Sequence, residues 1–565
     1  MNRTRFNFVL FLIALLFLLA LLKAFNIQII NNSYYKKLYI KSISRTITVS
    51  GYRGIIYDSK DRALTVNYPS YTLFVDPWYF NKLNELYRDN PKYQVRKQNF
   101  FEKLKKIAGI DKNQIEQILK RYPESRFIKL KKLTFKQYKE LSESSSFIRA
   151  FGFIKRYSRF YPDGEFSAHI IGFCFKNGKG AEGLENYYNQ YLAAPTLKES
   201  VALDAFRKLN TVILPHGTNI QISINEDIQD FVHKSLKETI DKFKAEKGSV
   251  IVMNPYDGSI IAMDSYPFYD NNHYWEYPYK DIKNRAVSDV FEPGSVFKLL
   301  TMSAALDSGI FKGNEIIYCE KGRWRVKNKI IHDVHRFKYL SFKNVFVFSS
   351  NIGSAKIALK LGKKIFYRYL YKFGLGQKTG IDTISESKGI VKDIFNVGDV
   401  DLANMAFGQG IGVTEIQLAD MYSAIANGGF KVKPHFIEKM FNDNKVIFEF
   451  RPKRERILKP ETVKKVREIL RDVVIYGTGK KAQLKDYKTA GKTGTAQIAK
   501  KGKYQKEYVA SFAGFAPFEN PRFVVVVSIF NPKGSIYGGE VAAPLFAKIM
   551  EFALHYYGVK PDKND

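Results

Sequence analysis

The sequence predicts an α+β fold: an antiparallel sheet flanked by helices with a helical subdomain, preceded by a membrane helix and an extended mixed region. Three observations carry the prediction. Apolar runs flank turn residues at 248–264 and again at 508–530, the signature of two hairpins far apart in the chain. Between them, Ser295 to about Ile475 keeps largely helical spacing. At the N-terminus, Phe8 to Leu22 is apolar without interruption. Strands gathered from distant segments, with a helical insertion between them, assemble most simply as one antiparallel sheet.

Counting Phe6 through Phe25, the N-terminal run reaches about the 20 residues that cross a bilayer. Arg3 and Arg5 precede it and Lys23 follows, so the positive-inside rule places the N-terminus in the cytoplasm and the remainder outside. No clear A-x-A cleavage site follows, and Tyr34, Tyr35, Lys36 and Lys37 read as interfacial anchors. A retained single-pass anchor is therefore expected over a cleaved signal.

Of the 565 residues, 45% are apolar and 15% aromatic, enough for two sizeable cores and against disorder. Lys and Arg number 90 against 55 Asp and Glu, a net charge of +35. Such a balance suits nucleic acid, an anionic membrane or an acidic polymer. The basic residues are spread along the chain, densest from Lys92 to Lys139, and no nucleic-acid-binding motif accompanies them. A solvated basic surface is expected, with no nucleic-acid partner. Cys174 and Cys319 lie far apart and in neither a CxxC nor a Cys/His cluster, so no metal and no cofactor is expected, and two buried free thiols are expected over a disulfide.

From about Ile40 to Lys208 the pattern is mixed. Gly178, Gly180 and Gly183 spell GxGxxG, with Asp204 about 20 residues on, the outline of a dinucleotide loop. The helix expected at Leu184 to Ala193 is short for a crossover, and an exported segment meets no dinucleotide pool, so that reading is refused. Farther on, a short strand near Asn219 leads to Asn225 as N-cap, with Glu226 and Asp227 in the first turn of a helix running to about Lys247. Gly248 to Met253 and Ser259 to Asp264 form the first hairpin; Tyr508 to Phe515 and Phe523 to Phe530 form the second. A last helix covers about Val541 to Tyr557. The glycines at Gly408 to Gly412 and Gly428 to Gly429 lack the GxxxxGK of a phosphate loop and read as turns.

Within this frame three short motifs carry chemistry. Phe291 to Leu300 reads FEPGSVFKLL, where Pro293 and Gly294 open a helix, Ser295 falls in its first turn, and Lys298 three residues on shares its face. A neutral lysine there is placed to take the serine proton. Alone, this spacing arises by chance in most long chains. It is followed, however, by Ser349-Ser350-Asn351 and by Lys492-Thr493-Gly494-Thr495, which gives the order SxxK, SxN, KTG.

That ordered set resembles the class B penicillin-binding proteins, the monofunctional peptidoglycan D,D-transpeptidases. Arg285 to Lys298, Phe512 to Arg522 and Ala542 to Phe546 resemble their septal, division-specific branch. The resemblance implies the penicilloyl-serine transferase fold, with Ser295 as nucleophile, Lys298 as its general base and Ser349 as a proton relay to the leaving amine. A charged Lys298 that only hydrogen-bonds Ser349 stands as the alternative. It also implies that Asn351 binds the substrate amide and orients Lys298. Lys492, Thr493, Gly494 and Thr495 would form the substrate-binding strand, with the side chains reading the terminal carboxylate. The N–H groups of Ser295 and Thr495 would form the oxyanion hole.

The same resemblance implies a cytoplasmic tail at 1–5, an anchor at 6–30, a non-catalytic, dimerisation-like pedestal at 31–215, a transpeptidase domain at 216–558 and a tail at 559–565. The pedestal markers are Arg53-Gly54-Ile55-Ile56-Tyr57-Asp58, Arg159-Phe160-Tyr161-Pro162 and Gly180 to Glu185. One departure stands out: Ser59, Lys60 and Asp61 occupy the place of the usual Arg-Asn-Gly. Implied partners are D-Ala-D-Ala stem peptides, beta-lactams, a polytopic glycosyltransferase and division proteins, at the inner membrane with the catalytic domain periplasmic. The Glu-x-x-Leu-Asn of a deacylating beta-lactamase does not occur between Asn351 and Lys492. Elongation-type transpeptidase, D,D-carboxypeptidase and idle division scaffold stay open as alternatives.

Overall fold

The structure, a computed structural model, describes residues 3–202, 215–443, 445–500 and 503–563, so Asp204 lies outside the described residues. By internal contacts the chain divides into two units: Met1–Arg53, Tyr71–Tyr157 and Ala194–Gly217 form one, and Gly54–Ser70, Ser158–Ala193 and Thr218–Asp565 the other.

In the first unit the apolar N-terminal run forms the helix Arg3–Phe25, which continues as a π-helical turn over Asn26–Ile30 with no buried residue. Among the described residues, Arg3–Ile30 is the one helix long and apolar enough to cross a membrane. The dense basic stretch is accommodated by amphipathic helices. Pro91–Ala108 starts at the N-cap Asn90, ends at Gly109 with φ +65°, and buries Phe100, Phe101, Leu104 and Ala108 along one face. Its lysines at 103, 105 and 106 are exposed. Phe100 meets Phe151 with ring centroids 4.8 Å apart, in a core that also holds Phe80 and Ile115.

The second unit is built on a five-stranded antiparallel sheet. Its strands are β1 (Lys247–Met253), β2 (Ile260–Tyr266), β3 (Ala490–Lys500), β4 (Lys503–Ala516) and β5 (Phe523–Phe530), in the order β3-β4-β5-β1-β2. Every residue of the central β5 is buried, and its valines divide by parity. Val525, Val527 and Ile529 pack with α1 (Glu226–Phe243) and α6 (Gly538–Tyr556). Val524 and Val526 face the opposite way, toward α2 (Lys298–Asp307), α3 (Asn351–Leu361), α4 (Glu415–Ala426) and α5 (Pro460–Ile475). The sheet is thus covered on both faces, which explains its nearly continuous apolar sequence.

Several expectations hold in detail. Asn225 caps α1, its side chain accepting from the N–H groups of Asp227 and Ile228 at 3.1 and 3.2 Å. Others need correction. α1 ends at Phe243, before Lys247, because Lys244 turns left-handed at φ +45°. The insertion between Ser295 and Ile475 is less helical than its spacing suggests and contains small two-stranded ribbons such as Arg323–Val326 with Lys329–His332. The expected helix after the GxGxxG breaks into Gly183–Tyr187 and Asn189–Leu192. Gly180 serves a close backbone crossing, since a Cβ there would lie 1.9 Å from the Glu185 carbonyl oxygen. At the departure from Arg-Asn-Gly, Asp61 takes the left-handed backbone at φ +61°, which aspartate tolerates. Asp58 closes that turn by accepting the N–H groups of Lys60 and Arg62, both at 2.8 Å. Cys319 is buried as expected, whereas Cys174 is partly exposed.

Candidate active site

Gly294, at φ +57°, opens a 3-10 turn over Gly294–Phe297 that leads into α2 at Lys298. The α-helix therefore starts one turn later than its spacing predicts: Ser295 lies in the tighter turn, partly exposed, and Lys298 is only 1% exposed. This turn leans on β3. A Cβ at Gly494 would fall 3.0 Å from the Pro293 carbonyl oxygen and 2.3 Å from Ser511 Oγ, so only glycine permits the approach. The motif strand and the serine turn are thereby brought side by side.

The SxN element enters from the other side. Ser350, not Ser349, caps α3, its hydroxyl accepting the Gly353 N–H at 2.9 Å. Ser349 precedes the cap with φ +60°, a left-handed backbone that is uncommon for a non-glycine residue. The result is that Ser349 Oγ sits between two lysines, 3.1 Å from Lys298 Nζ and 3.0 Å from Lys492 Nζ.

Lys298 Nζ also donates to the Ser349 carbonyl at 2.6 Å and to Asn351 Oδ1 at 2.8 Å. No hydrogen bond joins it to the Ser295 hydroxyl among the described residues, so the direct contact expected from their spacing is replaced by ties to the SxN element. Burial, reinforced by the neighbouring Lys492 charge, pushes the Lys298 amine well below the usual lysine range, while Asp333 acts the other way. Burial holds Lys492, 2% exposed, down to about 7. A neutral amine at Lys298 can accept a proton, and the hydroxyl between the amines can pass one on.

Strand alternation divides the KTGT residues. Lys492 and Gly494 face the serine turn and SxN; Thr493 and Thr495 project to the other side. There Thr493 Oγ1 lies 2.5 Å from Thr478 Oγ1, and Thr495 Oγ1 accepts the Gly538 N–H at 3.1 Å. The structure thus assembles Lys298, Ser349, Asn351 and Lys492 by hydrogen bonds, and lays the backbone of Gly494 and Thr495 against the turn that carries Ser295. Motif reading missed four supporting residues. Tyr422 of α4 donates to the Val296 carbonyl at 2.9 Å, Thr478 touches Thr493, and His332 and Asp333 hold SxN. None of the four lies in a recognisable motif. Among the described residues, Asp486, Glu551 and His555 bring three metal-ligating atoms within 4.8 Å of one another, but none of them belongs to this cleft.

Comparison with known proteins agrees with this geometry. Residues 248–551 match the penicillin binding protein transpeptidase domain, and residues 48–214 match the penicillin-binding protein dimerisation domain. The chain is 32% identical to the peptidoglycan D,D-transpeptidase FtsI of Buchnera aphidicola, covering 97% of this chain and 94% of that one. It is 31% identical to the stage V sporulation protein D of Bacillus subtilis, covering 100% and 87%. Among solved structures, penicillin binding protein 3 of Mycobacterium tuberculosis in complex with aztreonam aligns with a TM-score of 0.70 at 25% identity, over 91% of this chain and 98% of that one. The chain belongs to the class B penicillin-binding proteins, in which a dimerisation domain precedes a transpeptidase domain.

Proposed function

We propose that this chain is a peptidoglycan D,D-transpeptidase that cross-links stem peptides in septal wall synthesis and is covalently inhibited by beta-lactams. The observation that carries the reading is the Ser349 hydroxyl poised between two buried lysine amines, beside the turn that bears Ser295. Ser295 Oγ attacks the carbonyl carbon between the last two D-alanines while neutral Lys298 takes the hydroxyl proton. The peptide C–N bond then breaks, Ser349 relays a proton to the departing D-alanine amine, and an ester to Ser295 remains. An amine from a neighbouring stem peptide attacks that ester, forming the cross-link and freeing the serine.

In this reading the N–H groups of Ser295 and Thr495 stabilise the oxyanion, Asn351 holds the donor amide, and the terminal carboxylate lies along the edge of the Lys492–Thr495 strand, with Lys492 on one face and the Thr493 and Thr495 hydroxyls, beside Thr478 and the Gly538 N–H, on the other. Gly494 keeps the strand close enough for that alignment. A beta-lactam enters the same path, and its acyl group stays attached, as expected of a chain without the Glu-x-x-Leu-Asn of a deacylating beta-lactamase between Asn351 and Lys492. The helix Arg3–Ile30 anchors the chain in the inner membrane with its N-terminus cytoplasmic. Residues 31–215 form the pedestal and 216–558 the transpeptidase domain, working with a polytopic glycosyltransferase and division proteins.

Labelling with fluorescent penicillin tests the chemistry. The wild type is expected to form a covalent adduct and Ser295→Ala none. Absence of label on the wild type removes the acyl-transfer reading, and label retained on Ser295→Ala reassigns the nucleophile.

A further inference from the structure

The turn that holds the SxN element belongs to none of the three motifs. Asp333, immediately after the strand Lys329–His332, accepts three short hydrogen bonds from it. Its Oδ1 takes the Asn351 N–H at 2.6 Å and the Ile352 N–H at 3.0 Å, and its Oδ2 takes the Ser350 hydroxyl at 2.6 Å. The first two are orphan donors of the eleven-residue α3, where helix geometry leaves them without partners in the helix. Next to it, the His332 carbonyl accepts from Asn351 Nδ2 at 3.0 Å. That bond decides which end of the amide faces Lys298: with Nδ2 engaged by His332, Oδ1 is left to receive the lysine at 2.8 Å.

The carboxylate has an electrostatic role as well. Two charged groups act on the Lys298 amine: Lys492 from β3, which disfavours a proton there, and Asp333, which favours one. The SxN element brings the Ser349 carbonyl, the Ser349 hydroxyl and the Asn351 amide oxygen to the same amine, all of them uncharged. Asp333 thus opposes burial and like-charge repulsion at the Lys298 amine.

We propose that Asp333 is a positioning residue for acyl transfer, seating the Ser349–Asn351 element and supplying the countercharge that retains a proton within the Lys298–Ser349–Lys492 trio. The inference rests on the acyl-transfer reading above. It goes beyond helix capping because a cap alone fixes geometry at every pH, whereas a countercharge also sets the pH at which the base becomes available.

The test is the second-order rate of acylation by fluorescent penicillin as a function of pH, on the full chain in detergent, for wild type, Asp333→Asn and Asp333→Glu. In Asp333→Asn the maximal rate is expected to fall about 10- to 100-fold, as for a misplaced catalytic group. Its acid limb is expected to move to lower pH, because removing the negative charge makes Lys298 easier to deprotonate. Asp333→Glu keeps the charge, so its maximal rate falls while its limb stays with the wild type. A uniform loss in Asp333→Asn with an unmoved limb overturns the countercharge and leaves a structural cap. If Asp333→Asn does not fold, Asp333→Glu decides alone: a limb that moves with the charge retained overturns the proposal. A wild type that is not acylated at any pH overturns the underlying reading instead, a result that no Asp333 variant can mimic.

Discussion

Two groups of lysines in this protein have the same side chain and opposite fates. From Lys92 to Lys139, helices such as Pro91–Ala108 and Lys112–Arg121 bury their apolar faces and leave most of their lysines in water, where Lys105 pairs with Asp111 at 3.0 Å while 68% exposed. In the cleft, Lys298 and Lys492 are 1% and 2% exposed, and each is within hydrogen-bond distance of Ser349 Oγ. The comparison teaches that the net charge of +35 says little about activity. An ammonium in water keeps its hydration shell. One withdrawn from water is pushed toward the neutral amine, the form that can act as a base.

The largest effect that sharpens this contrast comes from removing a buried amine while keeping its volume. Lys298→Met is expected to lower the acylation rate with fluorescent penicillin by about 10²- to 10⁴-fold, the range for loss of a general base. A loss of less than tenfold would mean that burial at this position serves packing and not chemistry.

A second effect appears in stability. Lys492 is held down to about 7 in the folded chain, against an ordinary lysine value of 10.5. Between those values the unfolded chain binds more protons, so the stability contribution of this residue rises as pH increases from about 7 to 10. The slope has an upper bound of about 1.4 kcal/mol per pH unit. Unfolding midpoints measured across that window should climb more steeply for the wild type than for Lys492→Met. Parallel curves would show that Lys492 keeps its proton when buried.

The smallest effect belongs to the solvated group. Converting exposed Lys106, Lys120 and Lys132 together to glutamine should leave the acylation rate unchanged and shift stability by no more than about 0.5 kcal/mol per site. A drop in acylation would make the basic surface part of the catalytic apparatus and end the contrast.

Legibility followed the range of the interactions. Asn225 as a cap and the hairpins 248–264 and 508–530 rest on contacts within a few residues, and all are found. The three motifs were legible because each is a short contiguous string. The details of the cleft were not. Helical spacing suggested that Lys298 meets Ser295, yet its amine turns to Ser349 and Asn351, 51 and 53 residues away. Ser350, not Ser349, caps α3, and Ser349 is left with a left-handed backbone. His332 and Asp333 stand in an unremarkable polar turn, and Tyr422 reads as an ordinary core aromatic.

The sequence by itself determined which chemistry is available, because serine, lysine, asparagine and threonine in a fixed order define what can attack, accept or bind. It also determined the membrane-length helix and the sheet-plus-helices class, since both follow from apolar periodicity. Only the tertiary structure decided which lysines lose their water and which acid stands beside them. Desolvation is set by everything that packs around a group, and those neighbours come from α2, α3, β3 and the His332–Asp333 turn, segments that meet only when the chain is folded.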